Sequence, residues 1–270
     1  MTVTTLPTDT ELAEAFVAAA IEAGHAILAV RRQGYKAEHK ADATPVTEAD
    51  RAAERAIVVR LRQVAAGVPI VAEEACSLGS VPTVGGEFFL VDPLDGTKEF
   101  VKGGDDFTVN IALIRARVPV IGVVLAPASG LVYAGVAGRG AWRGSVAGGR
   151  VEQHQPIHVR AADGPIEVVA SKSHRTPETD AYIARYEVRR LVSAGSSLKF
   201  CTVAEGRADL YPRMGTTMQW DTAAGDAVLR AAGGRTVTLD GATLPYGPNG
   251  AGVAAFVNPW FVAAGELEII

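Results

Sequence analysis

Cysteine is scarce in this chain, and the cysteines present form no pattern. The 270 residues include only Cys76 and Cys201, which lie far apart and outside any CxxC motif. A disulfide framework is therefore excluded, a reducing compartment is expected, and both thiols are interpreted as small buried apolar side chains. The five histidines also lack the spacing of a metal-ligand set.

An excess of positive charge is missing as well. The chain has 26 Lys and Arg against 30 Asp and Glu, a formal net charge of −4, whereas nucleic-acid binding needs a basic surface. We therefore expect no nucleic-acid polymer as a partner. A small anionic ligand is compatible with this charge, because metal ions can reverse the sign of the charge within one cleft.

Neither a secretory signal nor a membrane span is recognisable. The N-terminus lacks a basic region followed by an apolar run. The most apolar early stretch, residues 13–30, is interrupted by Glu14, Glu22 and His25. We expect no transmembrane segment and a cytoplasmic protein.

The first half of the chain predicts two helices followed by strands. Thr8 and Glu11 have capping-box spacing ahead of the first helix, and a second helix is predicted from near Thr47 to Gly67. Strand-like apolar runs follow at residues 69–72, 88–91, 109–114, 118–125 and 131–136. This order favours an α+β domain.

The second half alternates between strands and helices, which favours an α/β domain. Strands are predicted at 167–170, 188–192 and 208–211, and helices at 177–186, 197–205 and 222–232, the last ended by Gly233-Gly234. The polar, glycine-rich segment 144–156 is interpreted as the transition between the domains. We therefore predict an N-terminal domain over 1–155 and a C-terminal domain over 156–270.

One acidic turn is the strongest local pointer to chemistry. The apolar run 88–91 delivers Asp92-Pro93-Leu94-Asp95-Gly96-Thr97, in which Gly96 lets the backbone approach a ligand. Two carboxylates about 4 Å apart repel by about 4 kcal/mol at an effective dielectric near 20. A hard cation such as Mg²⁺ removes that cost. Taken alone, the turn is equally compatible with carboxylates that bond nearby backbone amides.

Other acidic residues stand at comparable places. Glu73-Glu74 follow the strand-like run 69–72, Asp50 lies in the first turn of the second helix, and Asp221 follows Trp220 before the helix 222–232. Each has an ordinary alternative: Asp221 as a helix N-cap, and Asp50 as a carboxylate that favours the helix dipole.

Together these motifs resemble the lithium-sensitive, magnesium-dependent phosphomonoesterase superfamily, which includes inositol monophosphatases, fructose-1,6-bisphosphatases and bisphosphate nucleotidases. Residues 92–114 and 195–228 are similar to bacterial 3'(2'),5'-bisphosphate nucleotidases of the CysQ type. Lys98-Glu99-Phe100 adds to this likeness, because inositol monophosphatases more often have a Thr-Asn-Phe-like sequence there. The resemblance implies a layered αβαβα sandwich of the inositol monophosphatase and fructose-1,6-bisphosphatase type.

The resemblance also implies a site. Two or three Mg²⁺ ions would be held by Glu73, Asp92, the Leu94 carbonyl, Asp95 and Asp221, and Asp50, Glu73 and Thr97 would orient the attacking water. The substrate would contact Glu73, Asp95, Gly96, Thr97, Ser173, Gly195, Ser196, Lys199 and Asp221. Lys199 and Arg213 are candidates for a second phosphate, with solvated surface cations as the alternative.

The implied reaction is hydrolysis of 3'-phosphoadenosine 5'-phosphate to AMP and phosphate, on a small phosphorylated nucleotide as substrate. Inositol-1-phosphate hydrolysis on the same metal site is the alternative enzyme activity, and a non-catalytic ion- or phosphate-ligand binding protein is the alternative of another class. A monomer or homodimer is expected. Peripheral association with the inner membrane is suggested by family resemblance only, since no amphipathic or lipidation signal is visible.

Overall fold

The computed structural model describes residues 7–36, 38–39, 45–171 and 175–270 of the chain. The substrate-binding prediction for Ser173, with its neighbours Lys172 and His174, lies outside the described residues. The elements of the first half are α1 (Asp9–Gln33), β1 (Glu38–His39), β2 (Pro45–Val46), α2 (Glu48–Val64), β3 (Ile70–Ala72), α3 (Glu73–Ser77), β4 (Glu87–Asp95), α4 (Thr97–Val101), β5 (Thr108–Arg115), β6 (Val118–Ala126), β7 (Leu131–Val136), β8 (Gly140–Ala147) and β9 (Arg150–Ile157).

The elements of the second half are β10 (Ile166–Ser171), α5 (Pro177–Ile183), β11 (Val188–Ala194), α6 (Leu198–Ala204), β12 (Leu210–Arg213), α7 (Gln219–Ala231), β13 (Arg235–Thr238), a 3-10 helix (Val253–Phe256) and β14 (Phe261–Ala264). Strands β3 to β9 form a seven-stranded sheet in chain order, and β3 and β4 are its one parallel pair in the described residues. The second sheet has the order β11-β10-β12-β14-β13.

The capping box predicted at Thr8 and Glu11 is confirmed, and the structure has a second one at the start of the next helix. The Thr8 hydroxyl and the Glu11 carboxylate bond each other's backbone amides at the start of α1. At α2 the Asp50 carboxylate accepts from the Thr47 amide at 2.7 Å and from the Thr47 hydroxyl at 2.8 Å. These contacts satisfy amides that have no partner within the helix, so local sequence fixes where each helix begins.

Three hydrophobic clusters separate five layers. The first joins α1 and α2 to one face of the seven-stranded sheet, through residues such as Phe16, Ile57 and Phe89. The second lies between the other face of that sheet, helices α6 and α7, and the five-stranded sheet. The third packs α5 against the outer face of the five-stranded sheet and includes Tyr182 of the helix and Leu210 of the sheet. The predicted αβαβα sandwich is confirmed, whereas the domain boundary at residue 155 stays a prediction.

Helix α1 is apolar because it is a core helix. By length and composition alone it could cross a membrane, and it is the one such helix in the described part of the chain. Half of its apolar window is nevertheless buried inside the fold, including Phe16, Ala20 and Ile27. Core packing therefore accounts for its composition, and the absence of a transmembrane segment stays an expectation.

Two interpretations of particular segments are wrong. The segment 144–156, taken as a transition zone, belongs to strands β8 and β9. It looked polar because β9 is an edge strand with mostly exposed side chains. Helix α7 begins at Gln219 rather than Thr222, so Asp221 lies inside its first turn and is not the residue that precedes it.

Candidate metal-binding active site

A cavity of about 350 Å³ opens between the two halves of the chain. Its wall includes the end of β4, the starts of α3 and α4, the loop at 195–197, and parts of α6, β12 and α7. All predicted metal ligands line it, as do the described residues predicted to bind substrate: Glu73, Asp92, Leu94, Asp95, Gly96, Thr97, Gly195, Ser196, Lys199 and Asp221. Asp50 is not part of the wall and lies behind Thr97.

The turn after β4 is shaped by backbone geometry. The register with β5 shifts between Asp92 and Asp95, and the Asp92 carboxylate accepts a hydrogen bond from the Leu94 amide at 3.0 Å. Gly96 has a φ of +96°, and a Cβ there would lie 2.8 Å from the Asp106 carbonyl oxygen. Only glycine fits both constraints without strain, so the turn brings both carboxylates to the cavity.

Thr97 connects this turn to Asp50. Its hydroxyl lies 3.1 Å from Asp50 Oδ1 and 3.0 Å from the Leu94 carbonyl oxygen. The other Asp50 oxygen holds the start of α2. The capping box therefore orients Asp50 towards Thr97, and one carboxylate has both a structural contact and a contact with the site.

Glu73 is placed by a residue that sequence reasoning missed. The Glu54 carboxylate accepts from the amides of Glu74 at 2.8 Å and Ala75 at 3.0 Å, which fixes the first turn of α3 directly after β3. Glu54 lies four residues after Asp50, on the same face of α2. That spacing is the sequence signal that could have identified it.

The loop at 195–197 joins the two halves. The Ser196 hydroxyl lies 2.9 Å from the Asp95 carbonyl oxygen and 3.0 Å from that of Asp106, and Ser197 Oγ donates to the Asp221 carbonyl at 2.5 Å. A Cβ on Gly195 would lie 2.6 Å from Asp106 Cβ, so the loop packs tightly. The Ser196 hydroxyl is thus engaged with backbone carbonyls, although the residue lines the cavity as predicted.

The carboxylates that line the cavity are close enough to repel one another when they are ionised. Burial raises the pKa of Asp92 well above its usual range, and Glu73, Asp95 and Asp221 raise it further. Burial likewise raises the pKa of Asp221, with added repulsion from Asp95 and Glu73. For Asp95 burial is again the largest cause, and Lys199 opposes it. Such a set is unfavourable when ionised unless positive charge joins it.

The donor chemistry fits a hard divalent cation. Carboxylate oxygens, with that of the Leu94 carbonyl, are the ligands that Mg²⁺ prefers. Within residues 7–36, 38–39, 45–171 and 175–270, however, no three His, Cys, Asp or Glu side chains already form a ready metal-ligand group. One oxygen each of Asp92 and Asp221 accepts from a backbone amide instead.

Two cations that line the same cavity are buried, so their interpretation as solvated surface residues is wrong. Lys199 is 6% exposed and Arg213 is 8% exposed. Burial lowers the pKa of Lys199 to about 8, although Asp95 opposes that shift. Lys199 donates to the Ser196 carbonyl at 2.5 Å and Arg213 to that of Thr216 at 2.8 Å, while Arg213 Nε has no partner in the described residues.

Two polar residues on β5 were also missed. Thr108 Oγ1 and Asn110 Nδ2 each lie 3.5 Å from Asp95 Oδ2, at the limit of hydrogen-bond distance. Both side chains are fully buried in an otherwise apolar strand. A buried amide within such an apolar run is the signal that could have marked Asn110.

Comparisons with known proteins identify the family to which this fold belongs. The model of the inositol monophosphatase family matches residues 8–266. The chain is 43% identical to the 3'(2'),5'-bisphosphate nucleotidase CysQ of Salmonella typhimurium over 241 residues, which cover 88% of this chain and 94% of that protein.

Solved structures give the same result. The crystal structure of CysQ from Bacteroides thetaiotaomicron, a bacterial member of that family, superposes with a TM-score of 0.79 at 37% identity, covering 95% of this chain and 98% of the other. An inositol monophosphatase from Anabaena superposes with a TM-score of 0.73 at 25% identity, covering 95% of this chain and 92% of its own. This chain belongs to the inositol monophosphatase family.

Proposed function

We propose that this protein is a 3'(2'),5'-bisphosphate nucleotidase that hydrolyses 3'-phosphoadenosine 5'-phosphate to AMP and phosphate. The observation that carries the proposal is one cavity lined both by a cluster of carboxylates and by two buried cations, Lys199 and Arg213. A substrate with two phosphates suits such a cavity, because one phosphate can react while the other is bound by charge. The CysQ relatives support this assignment.

We assign the metal site to Glu73, Asp92, the Leu94 carbonyl, Asp95 and Asp221, with two or three Mg²⁺ ions. When bound, such ions supply charge neutralisation at the phosphoryl group and the leaving oxygen and lower the pKa of a water. The protein's own residues hold the geometry. The Thr97 hydroxyl has one proton, which it donates either to Asp50 Oδ1 or to the Leu94 carbonyl, and its two lone pairs stay available to orient a water.

Removal of Mg²⁺ is expected to destabilise the protein more at pH 8 than at pH 5.5. The folded-state pKa values of Asp92, Asp95 and Asp221 are raised. Without Mg²⁺, these three groups therefore contribute fully to the free energy of unfolding below the ordinary aspartate pKa of about 4. That contribution is lost as the pH rises through the folded-state pKa values, because the carboxylates must then ionise next to one another. Saturating Mg²⁺ at pH 8 should raise the Tm by about 5 °C. Thermal scans with Mg²⁺ and with EDTA at both pH values measure this, and an equal Mg²⁺ effect at both would contradict it.

Arg213→Gln should separate substrates by their second phosphate. We expect kcat/KM for adenosine 3',5'-bisphosphate to fall roughly tenfold to a hundredfold, since a charge-assisted hydrogen bond contributes about 1.5–3 kcal/mol. Adenosine 3'-monophosphate, which lacks the second phosphate, should lose less than about threefold. Arg207→Gln, at a residue outside the cavity wall with a 63% exposed side chain, is the control. Equal losses on both substrates would remove Arg213 from phosphate recognition.

A phosphate-release panel tests the function as a whole. It compares bisphosphate nucleotides, inositol 1-phosphate and fructose 1,6-bisphosphate, each with and without Mg²⁺. A clear preference for inositol 1-phosphate would overturn the nucleotidase assignment in favour of the alternative enzyme. Phosphate release from none of them would favour a non-catalytic binding protein. Inhibition by lithium, cytoplasmic localisation, and a monomeric or homodimeric state stay predictions.

A further inference from the structure

Both ends of the segment from Tyr246 to Asn258 contact the start of α7. Asn258 is 5% exposed, and its Nδ2 lies 3.1 Å from Thr217 Oγ1, 2.8 Å from the Met218 carbonyl oxygen and 3.1 Å from Thr222 Oγ1. A carbonyl oxygen only accepts, so the Met218 contact sets the orientation of the Asn258 amide. This one side chain therefore connects both residues that precede α7 with its first turn.

Neighbouring contacts hold the same turn. The backbone N–H of Asn258 donates to the Thr217 carbonyl at 2.9 Å. The Gln219 side chain exchanges two hydrogen bonds with the backbone of Gly247, at 3.0 and 2.7 Å. The Tyr246 hydroxyl lies 3.2 Å from Thr222 Oγ1. All of these groups are buried, so the contacts form without competition from water.

Asp221 depends on this arrangement. Helix α7 is preceded by Met218, whose side chain makes no capping hydrogen bond, so the usual oxygen cap is missing. The Met218 amide instead donates to Asp221 Oδ2 at 2.9 Å, while the carbonyl of the same residue accepts from Asn258. Asn258 and Asp221 therefore bond the two backbone polar groups of Met218, which links the Asp221 carboxylate to Asn258 through one residue.

We propose that Asn258 is a positioning residue for Asp221. By holding Met218 and Thr222, it sets the direction in which the Asp221 carboxylate faces the cavity and hence the affinity of the site for a divalent cation. This inference rests on the proposed function, since it assumes that Asp221 is a metal ligand.

The test measures cation binding without substrate. Titration calorimetry with Mn²⁺ compares the wild type with Asn258→Leu, which keeps similar bulk and removes every polar atom of the side chain. We expect the Kd for Mn²⁺ to rise about tenfold, the lower end of the range for loss of a direct hydrogen-bond partner of a metal ligand, because Asn258 acts on Asp221 through Met218. The Mg²⁺ concentration for half-maximal phosphate release should rise in parallel. The substrate KM at saturating Mg²⁺ should change less than about threefold.

Ile57→Val is the control for a merely structural effect. Ile57 is fully buried in α2, on the far side of the seven-stranded sheet from α7, so its substitution lowers the Tm without touching the start of α7. Asn258→Ala, which adds no bulk, is used if the leucine variant does not fold. An Asn258 variant that loses Tm like Ile57→Val but binds Mn²⁺ like the wild type overturns the inference alone. A wild type that binds no Mn²⁺ overturns the proposed metal site as well.

Discussion

Asp95→Asn should reduce Mg²⁺-dependent phosphate release roughly a thousandfold while the protein stays folded. A metal ion contributes several kcal/mol of transition-state stabilisation, and about 4 kcal/mol corresponds to a factor of about a thousand. Asp95 lines the cavity at the end of β4, and its carboxylate is surrounded by Glu73, Asp221 and Lys199. A neutral amide of the same shape removes the charge that a cation needs.

The fold should tolerate this substitution, because two effects on stability oppose each other. Burial raises the pKa of Asp95, so removal of its charge relieves a desolvation cost. Lys199 loses an opposing charge, and its pKa, already lowered to about 8, should fall further. We therefore expect the Tm in EDTA to change by less than about 3 °C.

Asp105→Asn is the matched control for Asp95→Asn. Its side chain is 75% exposed and bonds Arg31 outside the cavity wall. Activity within about twofold of the wild type is expected, since an exposed ion pair contributes little. Steady-state phosphate release across a Mg²⁺ titration measures both variants. Unaltered turnover in Asp95→Asn, at any Mg²⁺ concentration, would remove the carboxylate cluster from the mechanism.

Features defined by neighbouring residues were predictable from the sequence. The capping boxes of Thr8 and Thr47 depend on side chains three residues away, and both are present. The turn from Asp92 to Thr97 needs a glycine at one position, which the sequence provides. In these cases the energetic reason for the structure lies within one helical turn or one loop, so a local pattern is sufficient.

Features defined by packing were not predictable in the same way. Lys199 looked like a surface cation because the residues around it in the sequence do not indicate that α6 lies between two sheets. Strands β8 and β9 looked like a linker because an edge strand has few buried side chains. The position of α7 over the first sheet likewise depends on residues about a hundred positions earlier.

Two glycines on adjacent strands determine how closely α7 approaches the seven-stranded sheet. Gly122 of β6 and Gly135 of β7 are register partners, so they lie side by side under the helix. A Cβ on Gly122 would lie 2.3 Å from the Ala224 carbonyl oxygen, and one on Gly135 would lie 2.7 Å from Val228 Cα. Both obstacles are backbone atoms, which cannot rotate away. The close approach brings Asp221, one turn before Ala224, against the carboxylates of β4.

Gly122→Ala should therefore damage stability and activity together. The added methyl group must push α7 outward, and overpacking of this kind costs about 1–3 kcal/mol, or a Tm lowered by roughly 3–10 °C. A displacement of Asp221 by about 1 Å should lower kcat up to a hundredfold. The half-saturating Mg²⁺ concentration should rise, because Asp221 then lies farther from the other carboxylates.

Gly85→Ala is the control for Gly122→Ala, since a Cβ there meets nothing within 4 Å and the residue does not have a positive φ. It should be neutral or slightly stabilising, because alanine restricts the unfolded chain. Thermal scans and Mg²⁺ titrations of both variants separate the contact from the substitution itself. If Gly122→Ala behaves like Gly85→Ala in both measurements, α7 does not rest on the sheet at this depth. In that case, the packing of α7 on Gly122 and Gly135 would not explain how Asp221 reaches the carboxylates of the first half.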